Sequence, residues 1–232
     1  MSSLSVHATL AQLSRPLWEP EWIGDNLAGI GAALLQHVQL TAISVGIGLV
    51  LSLALAVLGM SNRRLLGPIY AFGGLLYTIP ALALFAFLRP ILGIGDAMAI
   101  TALTSYTILI LVRNIVSALD GVPAEVREAA DGMGYRRLRR FLEIELPLAL
   151  PVIIAGIRIA TVTVIGLVTV TALIGRGGLG SYILTGIRLT TLHPTMILVG
   201  TFLSVVLALI VDLTLLGVER ALTPWSRRRA TV

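Results

Sequence analysis

Cysteine is absent from the chain, which excludes disulfides, thiol catalysis and cysteine-ligated metal. Charge is scarce as well: Asp, Glu, Lys and Arg together make up 12% of the residues, against about a quarter in a soluble domain. Lysine does not occur, so all 17 basic residues are arginine. Aromatic residues reach only 6%. The three histidines, His7, His37 and His193, are too scattered in sequence to suggest a shared metal site. What the chain has in abundance is apolar residues, at 56%, with a mean hydropathy of +0.95. That composition belongs to a membrane protein.

At 232 residues there is room for about five spans, each needing roughly 20 apolar residues, and none for a second soluble domain. The reading is an all-α integral membrane protein with spans at about 39–59, 65–88, 97–117, 146–174 and 196–218. Ser44, Gly46, Gly48 and Ser52 dot the first span, where small residues let helices approach closely in lipid. Pro80 interrupts the second, and Arg113 is placed to snorkel to the boundary at the end of the third. Residues 1–26 form an external or interfacial segment containing Trp18 and Trp22. No basic region followed by a short apolar run and a cleavage site is seen near the start, so the first span is expected to direct insertion.

Residues 120–145 form the longest polar stretch, dense in carboxylates and arginines. If this connection is cytoplasmic, twelve arginines fall inside and four outside, with Arg158 within a span. That asymmetry obeys the positive-inside rule, and puts the N-terminus outside and the basic tail, residues 223–232, in the cytoplasm. Within the connection, Pro123 suits a helix start, Glu125 and Glu128 suit its positive end, and Gly132 and Gly134 suit its termination. A second short helix is expected from Tyr135 to Glu145, broken by Pro147 before the fourth span. From the residues alone this is an amphipathic helix-turn-helix on the membrane surface.

The run Glu128-Ala129-Ala130, with Gly134 six residues after the glutamate and Leu146-Pro147 a further twelve on, resembles the "EAA" signature of binding-protein-dependent ABC importer permeases. The resemblance implies a type I importer permease fold in a bacterial inner membrane. It also implies that Glu128, Ala129, Ala130, Gly132, Met133, Gly134 and Tyr135 form a coupling helix docking on a separate ATPase dimer. That dimer would bind ATP and Mg, this chain holding no cofactor. A second permease, identical or paralogous, and an extracytoplasmic solute-binding protein complete the implied assembly; nucleic acid has no place in it.

Further runs, Tyr77-Thr-Ile-Pro-Ala-Leu-Ala-Leu-Phe, Val112-Arg-Asn and Ile174-Gly-Arg-Gly-Gly-Leu-Gly, are similar to the osmoprotectant branch, which imports glycine betaine, choline, carnitine or proline betaine. Methionine-type and other amino-acid importers are the nearest alternative. The few aromatics offer no evident cation–π cage, so the resemblance assigns selectivity to the binding protein.

Other residues stand out. Arg158 and Asp212 lie at comparable depths in spans four and five, as an ion pair or as lining of a wet path. Tyr77, Thr78 and Pro80 are candidates to shape the pore. Gly175, Gly177, Gly178 and Gly180 lack the Lys-Ser/Thr of a phosphate loop and read as an external turn. A lipid-modifying membrane enzyme is the remote alternative, but outside residues 120–145 the carboxylates are isolated, where catalysis would pair them.

Overall fold

The computed structural model describes residues 16–189 and 192–225. Arg15, His7 and the rest of residues 1–15, and residues 226–232 of the basic tail, lie outside the described residues. Among the described residues the ordered backbone is helical, with no strand. The helices are α1 (Pro20–Asp25), α2 (Leu27–Ser61), α3 (Leu66–Thr78), α4 (Ala81–Leu92), α5 (Asp96–Asp120) and α6 (Ala124–Gly132). There follow α7 (Arg137–Arg140), α8 (Leu146–Val168), α9 (Gly180–Arg188) and α10 (Pro194–Leu222). Four helical stretches are long and apolar enough to cross a membrane, and the bent pair α3–α4 makes a fifth.

α5 is the most buried of the spans and α10 the least. α5 packs on α2 and α8, and α3 and α4 lean on it from another side. Its Leu103, Leu111, Val112 and Ile115 are almost wholly enclosed. Small residues make these contacts close. Ser44, Gly48 and Ser52, four residues apart, are buried on α2, whereas Gly46 is exposed and off that stripe. A Cβ at Gly48 would fall 1.8 Å from Thr107 Oγ1, and one at Gly156 of α8 would fall 2.4 Å from Asn114 Cβ on α5.

Gly156→Leu is therefore expected to destabilise the protein in detergent by roughly 1–3 kcal/mol, the cost of overpacking, seen as a lower melting temperature. Gly166→Ala, where nothing lies within 4 Å of the new Cβ, should leave it unchanged. Equal melting of the two variants would show that the α5–α8 contact does not depend on the missing side chain.

Three sequence expectations need correction. The first span is part of a 35-residue helix starting at Leu27; nothing charged between Asn26 and Asn62 stops it earlier. The second is not a kinked span but two helices meeting at 99°. Ile79 and Pro80 are both extended, with ψ of 124° and 137°, because proline bars the preceding residue from helical geometry and lacks an N–H. The Tyr106 hydroxyl donates to the freed Ile79 carbonyl at 2.6 Å.

The third correction concerns Pro147. The helix from Arg137 runs unbroken into the fourth span, through a π-type turn at Phe141–Glu145. Widening the turn there relieves the clash between the proline ring and the carbonyl four residues back, so the helix passes Pro147 without ending.

Candidate functional site

α6 and α7 project as a hairpin from the end of the bundle where α5 stops and α8 begins. Pro123 precedes α6 with ψ 142°, starting the helix without a lost hydrogen bond. Its end is a complete Schellman turn. Gly134 adopts φ +82°, its N–H donates to the Asp131 carbonyl at 3.0 Å, and the Tyr135 N–H donates to the Ala130 carbonyl at 3.1 Å.

This turn divides the predicted residues by face. Ala130 is wholly buried against the hairpin's own base and Tyr135 is half-buried, while Glu128, Ala129, Gly132 and Gly134 are exposed. Met133 stands at the tip with 68% of its surface open. The exposed face is thus a carboxylate, a methyl, two bare backbone positions and a flexible thioether. Small groups let a partner helix or groove come close, and methionine adapts to irregular apolar surfaces.

Below the tip lies a chain of ion pairs that the sequence pattern did not single out. Glu145, only 7% exposed, accepts from Arg140 Nε at 2.7 Å and lies 3.6 Å from Arg127 Nε. Arg140 also forks onto Asp131 at the end of α6. Arg127 donates to the Leu119 carbonyl in the last turn of α5 at 2.5 Å. Asp120 in turn takes both terminal nitrogens of Arg63, at 2.7 and 2.5 Å. Glu145 therefore ties the hairpin to the ends of both α5 and α8. These partners are brought together by the Schellman turn and the π-type turn, so no linear spacing announces them.

Elsewhere, Arg158 of α8 and Asp212 of α10 form a two-pronged pair at 2.9 and 2.9 Å, and Glu219 adds a third contact at 3.4 Å. Their side chains keep 23% and 32% exposure beside a cavity of about 530 Å³ bordered by Ala155 and Thr163. Tyr77, Thr78 and Pro80 are exposed around the α3–α4 elbow, with Tyr77 edge-on to Tyr106 at 6.1 Å. Arg113 lies 5.6 Å from the ring centre of Tyr70.

The glycine run makes a second Schellman turn, Gly175 at φ +77°, at the end of the bundle opposite the hairpin. Gly178 approaches α2 so closely that a Cβ would meet His37 and the Ala33 carbonyl within 2.9 Å. Its N–H donates to Gln36 Oε1 at 3.0 Å. A Cβ at Gly177 would strike Ala172, and one at Gly180 the Thr169 backbone. The hairpin stands apart from the other two, whereas Ile79 and Ala81 of the elbow and Ile174, just before the glycine turn, pack on one cluster around Leu84, Phe85 and Tyr106.

A family model described as "Binding-protein-dependent transport system inner membrane component" matches residues 44–224. The osmoprotectant import permease protein OsmW of Salmonella typhimurium is 37% identical over 205 residues, covering 86% of this chain and 94% of that protein. The glycine betaine/carnitine/choline transport system permease protein OpuCB of Bacillus subtilis is 35% identical, covering 82% and 86%. Among solved structures, an inward-facing MetNI methionine ABC transporter chain aligns with a TM-score of 0.72 at 23% identity, over 89% of this chain and all of that one. At that identity the likeness speaks for the fold alone.

Proposed function

The chain belongs to the family of binding-protein-dependent transport system inner membrane components, and from that premise we propose that it moves osmoprotectants of quaternary-ammonium type across the membrane under the drive of a partner ATPase. It is a multi-pass permease subunit and not itself an enzyme. The observation that carries the coupling role is the hairpin: an exposed, small-residue tip anchored by Glu145 to two spans. A push on Glu128–Gly134 is transmitted to α5 and α8 as a rigid-body displacement, since the link is an ion-pair network centred on Glu145 and not a loose loop. ATP and Mg stay on the ATPase dimer, and solute selection on an extracytoplasmic binding protein.

The hairpin end carries Arg63, Arg64, Arg136, Arg137 and Arg139, which supports a cytoplasmic hairpin with the N-terminus outside. Arg158 and Asp212 support a second permease copy or paralogue on the exposed face of α8 and α10. A partly open charge pair at bilayer depth does not face hydrocarbon; it faces protein or water. We assign that face to the translocation path. Asp212→Asn, which leaves Arg158 without its forked partner, is expected to cut uptake at least tenfold. Arg158→Gln combined with Asp212→Asn should restore much of it. Absence of any rescue in transport assays would count against pairing as the role.

The substrate reading is tested in proteoliposomes holding this permease with its ATPase and binding protein. Labelled glycine betaine or choline should accumulate on ATP addition, and excess methionine should not compete. Accumulation of methionine, with none of the quaternary ammonium solutes, would replace the proposed substrate by the amino-acid alternative.

A further inference from the structure

At the hairpin end of the bundle a cavity of about 620 Å³ lies between the end of α2 and the base of the hairpin. Four arginines, Arg63, Arg127, Arg137 and Arg140, line it, with Glu145 as the one acid among the lining residues. Asp120 and Asp131 hold Arg63 and Arg140 from the rim. The Arg137 side chain has no hydrogen bond or ion pair among the described residues, and Arg127 Nε is enclosed with no hydrogen-bond partner, 3.6 Å from Glu145. Apart from Ser61, the remaining wall is apolar: Val57, Met60, Leu119, Leu138 and Phe141.

Val57 of the cavity wall also belongs to an exposed apolar stripe on α2. Val50, Leu53 and Val57, at helical spacing on α2, are all exposed, and they lead from mid-span to the mouth at Ser61, where the helix ends. An apolar track ending at the unpaired guanidinium of Arg137, beside three arginines held by carboxylates, has the two chemistries of one molecule. Acyl chains lie along the track, and a phosphate sits among the arginines.

We propose that this cavity holds the headgroup of an anionic phospholipid, with Arg137 as its principal phosphate contact and Leu138 and Val57 against the glycerol and acyl chains. A zwitterionic lipid carries its own ammonium group, which the surplus of guanidiniums repels. Anionic lipid is therefore favoured. Such a site requires only that the spans lie in a bilayer, whatever the solute and the ATPase contact at the hairpin tip.

The test uses the full-length permease, purified with its ATPase in detergent and titrated with phosphatidylglycerol, phosphatidylcholine or inorganic phosphate. Native mass spectrometry and melting temperature are the readouts. Phosphatidylglycerol should remain bound and raise the melting temperature by several degrees, while phosphatidylcholine and inorganic phosphate do neither.

Arg137→Glu should weaken phosphatidylglycerol retention at least fivefold, with lipid-free melting and ATPase co-purification unchanged. Leu138→Asp should weaken it through the apolar wall. Equal retention by wild type and Arg137→Glu would overturn the proposal. So would the same stabilisation by inorganic phosphate alone, which would make this a free-anion site. Loss of the ATPase from Arg137→Glu would also overturn it, assigning the cavity to the partner protein.

Discussion

Replacing Gly134 with valine is expected to leave a permease that inserts and binds its partners but loses nearly all ATP-driven uptake. Gly134 holds φ +82°, a region that costs an L-residue roughly 1–2 kcal/mol and a β-branched one more. The strain falls on a single turn at the hairpin tip, far from the buried contacts of α5, so the bundle survives. The Schellman bonds from Tyr135 and Gly134 are lost, and the tip face of Glu128, Ala129 and Met133 is presented at the wrong angle. Gly134→Asn, which tolerates the left-handed region, should retain a substantial fraction of uptake, because nothing lies within 4 Å of a Cβ there. Uptake and ATPase activity measured together in proteoliposomes decide this. Valine should leave ATP hydrolysis without accumulation, and wild-type uptake in the valine variant would refute the role of the turn. Glu128→Arg, which reverses a charge on the tip face, should uncouple in the same way.

The second large effect is expected at Glu145. Substitution by alanine removes the carboxylate shared by Arg127 and Arg140, leaving Arg127 with no counter-charge and Arg140 with Asp131 alone. Breaking a buried pair in this way is far more damaging than replacing the whole network with apolar groups. Uptake should fall at least tenfold, and amide exchange across residues 124–136 should accelerate while the centre of α5 stays protected. Exchange that is unchanged in the hairpin would show that Glu145 is not its anchor. Arg139, by contrast, pairs with Glu143 on an exposed face at 2.9 Å, and Arg139→Gln should be nearly silent, as exposed pairs contribute little.

The sequence made the spans visible because long uncharged runs have few alternatives in water or lipid, and the turn at Gly134 because two glycines frame it. It showed the Arg158 and Asp212 pair through depth alone. It hid what depends on three-dimensional closure. Glu219 lies seven residues beyond Asp212 on the same face of α10, and its contact with Arg158 follows from how α8 is set against that face. Glu145 looked like one more charge in a polar loop. Its burial follows from α7 fusing with α8, which the presence of Pro147 argued against until the π-type turn accommodated it. Pro80 signalled an interruption, but a 99° elbow differs from a kink only in how neighbours such as Tyr106 catch the freed carbonyl. Gly46 looked equivalent to Gly48, yet two residues along a helix turn the position to the opposite side.

The natural absence of cysteine makes one measurement unusually clean: single-cysteine cross-linking of Ala129→Cys or Met133→Cys to the ATPase, scanned with cysteines along the ATPase's permease-facing groove. Efficient cross-links are expected from both hairpin positions, and none from Ile94→Cys, exposed in the loop following α4. Cross-links from Ile94→Cys with none from the hairpin would contradict the claim that Glu128–Gly134 is where this permease receives the work of ATP.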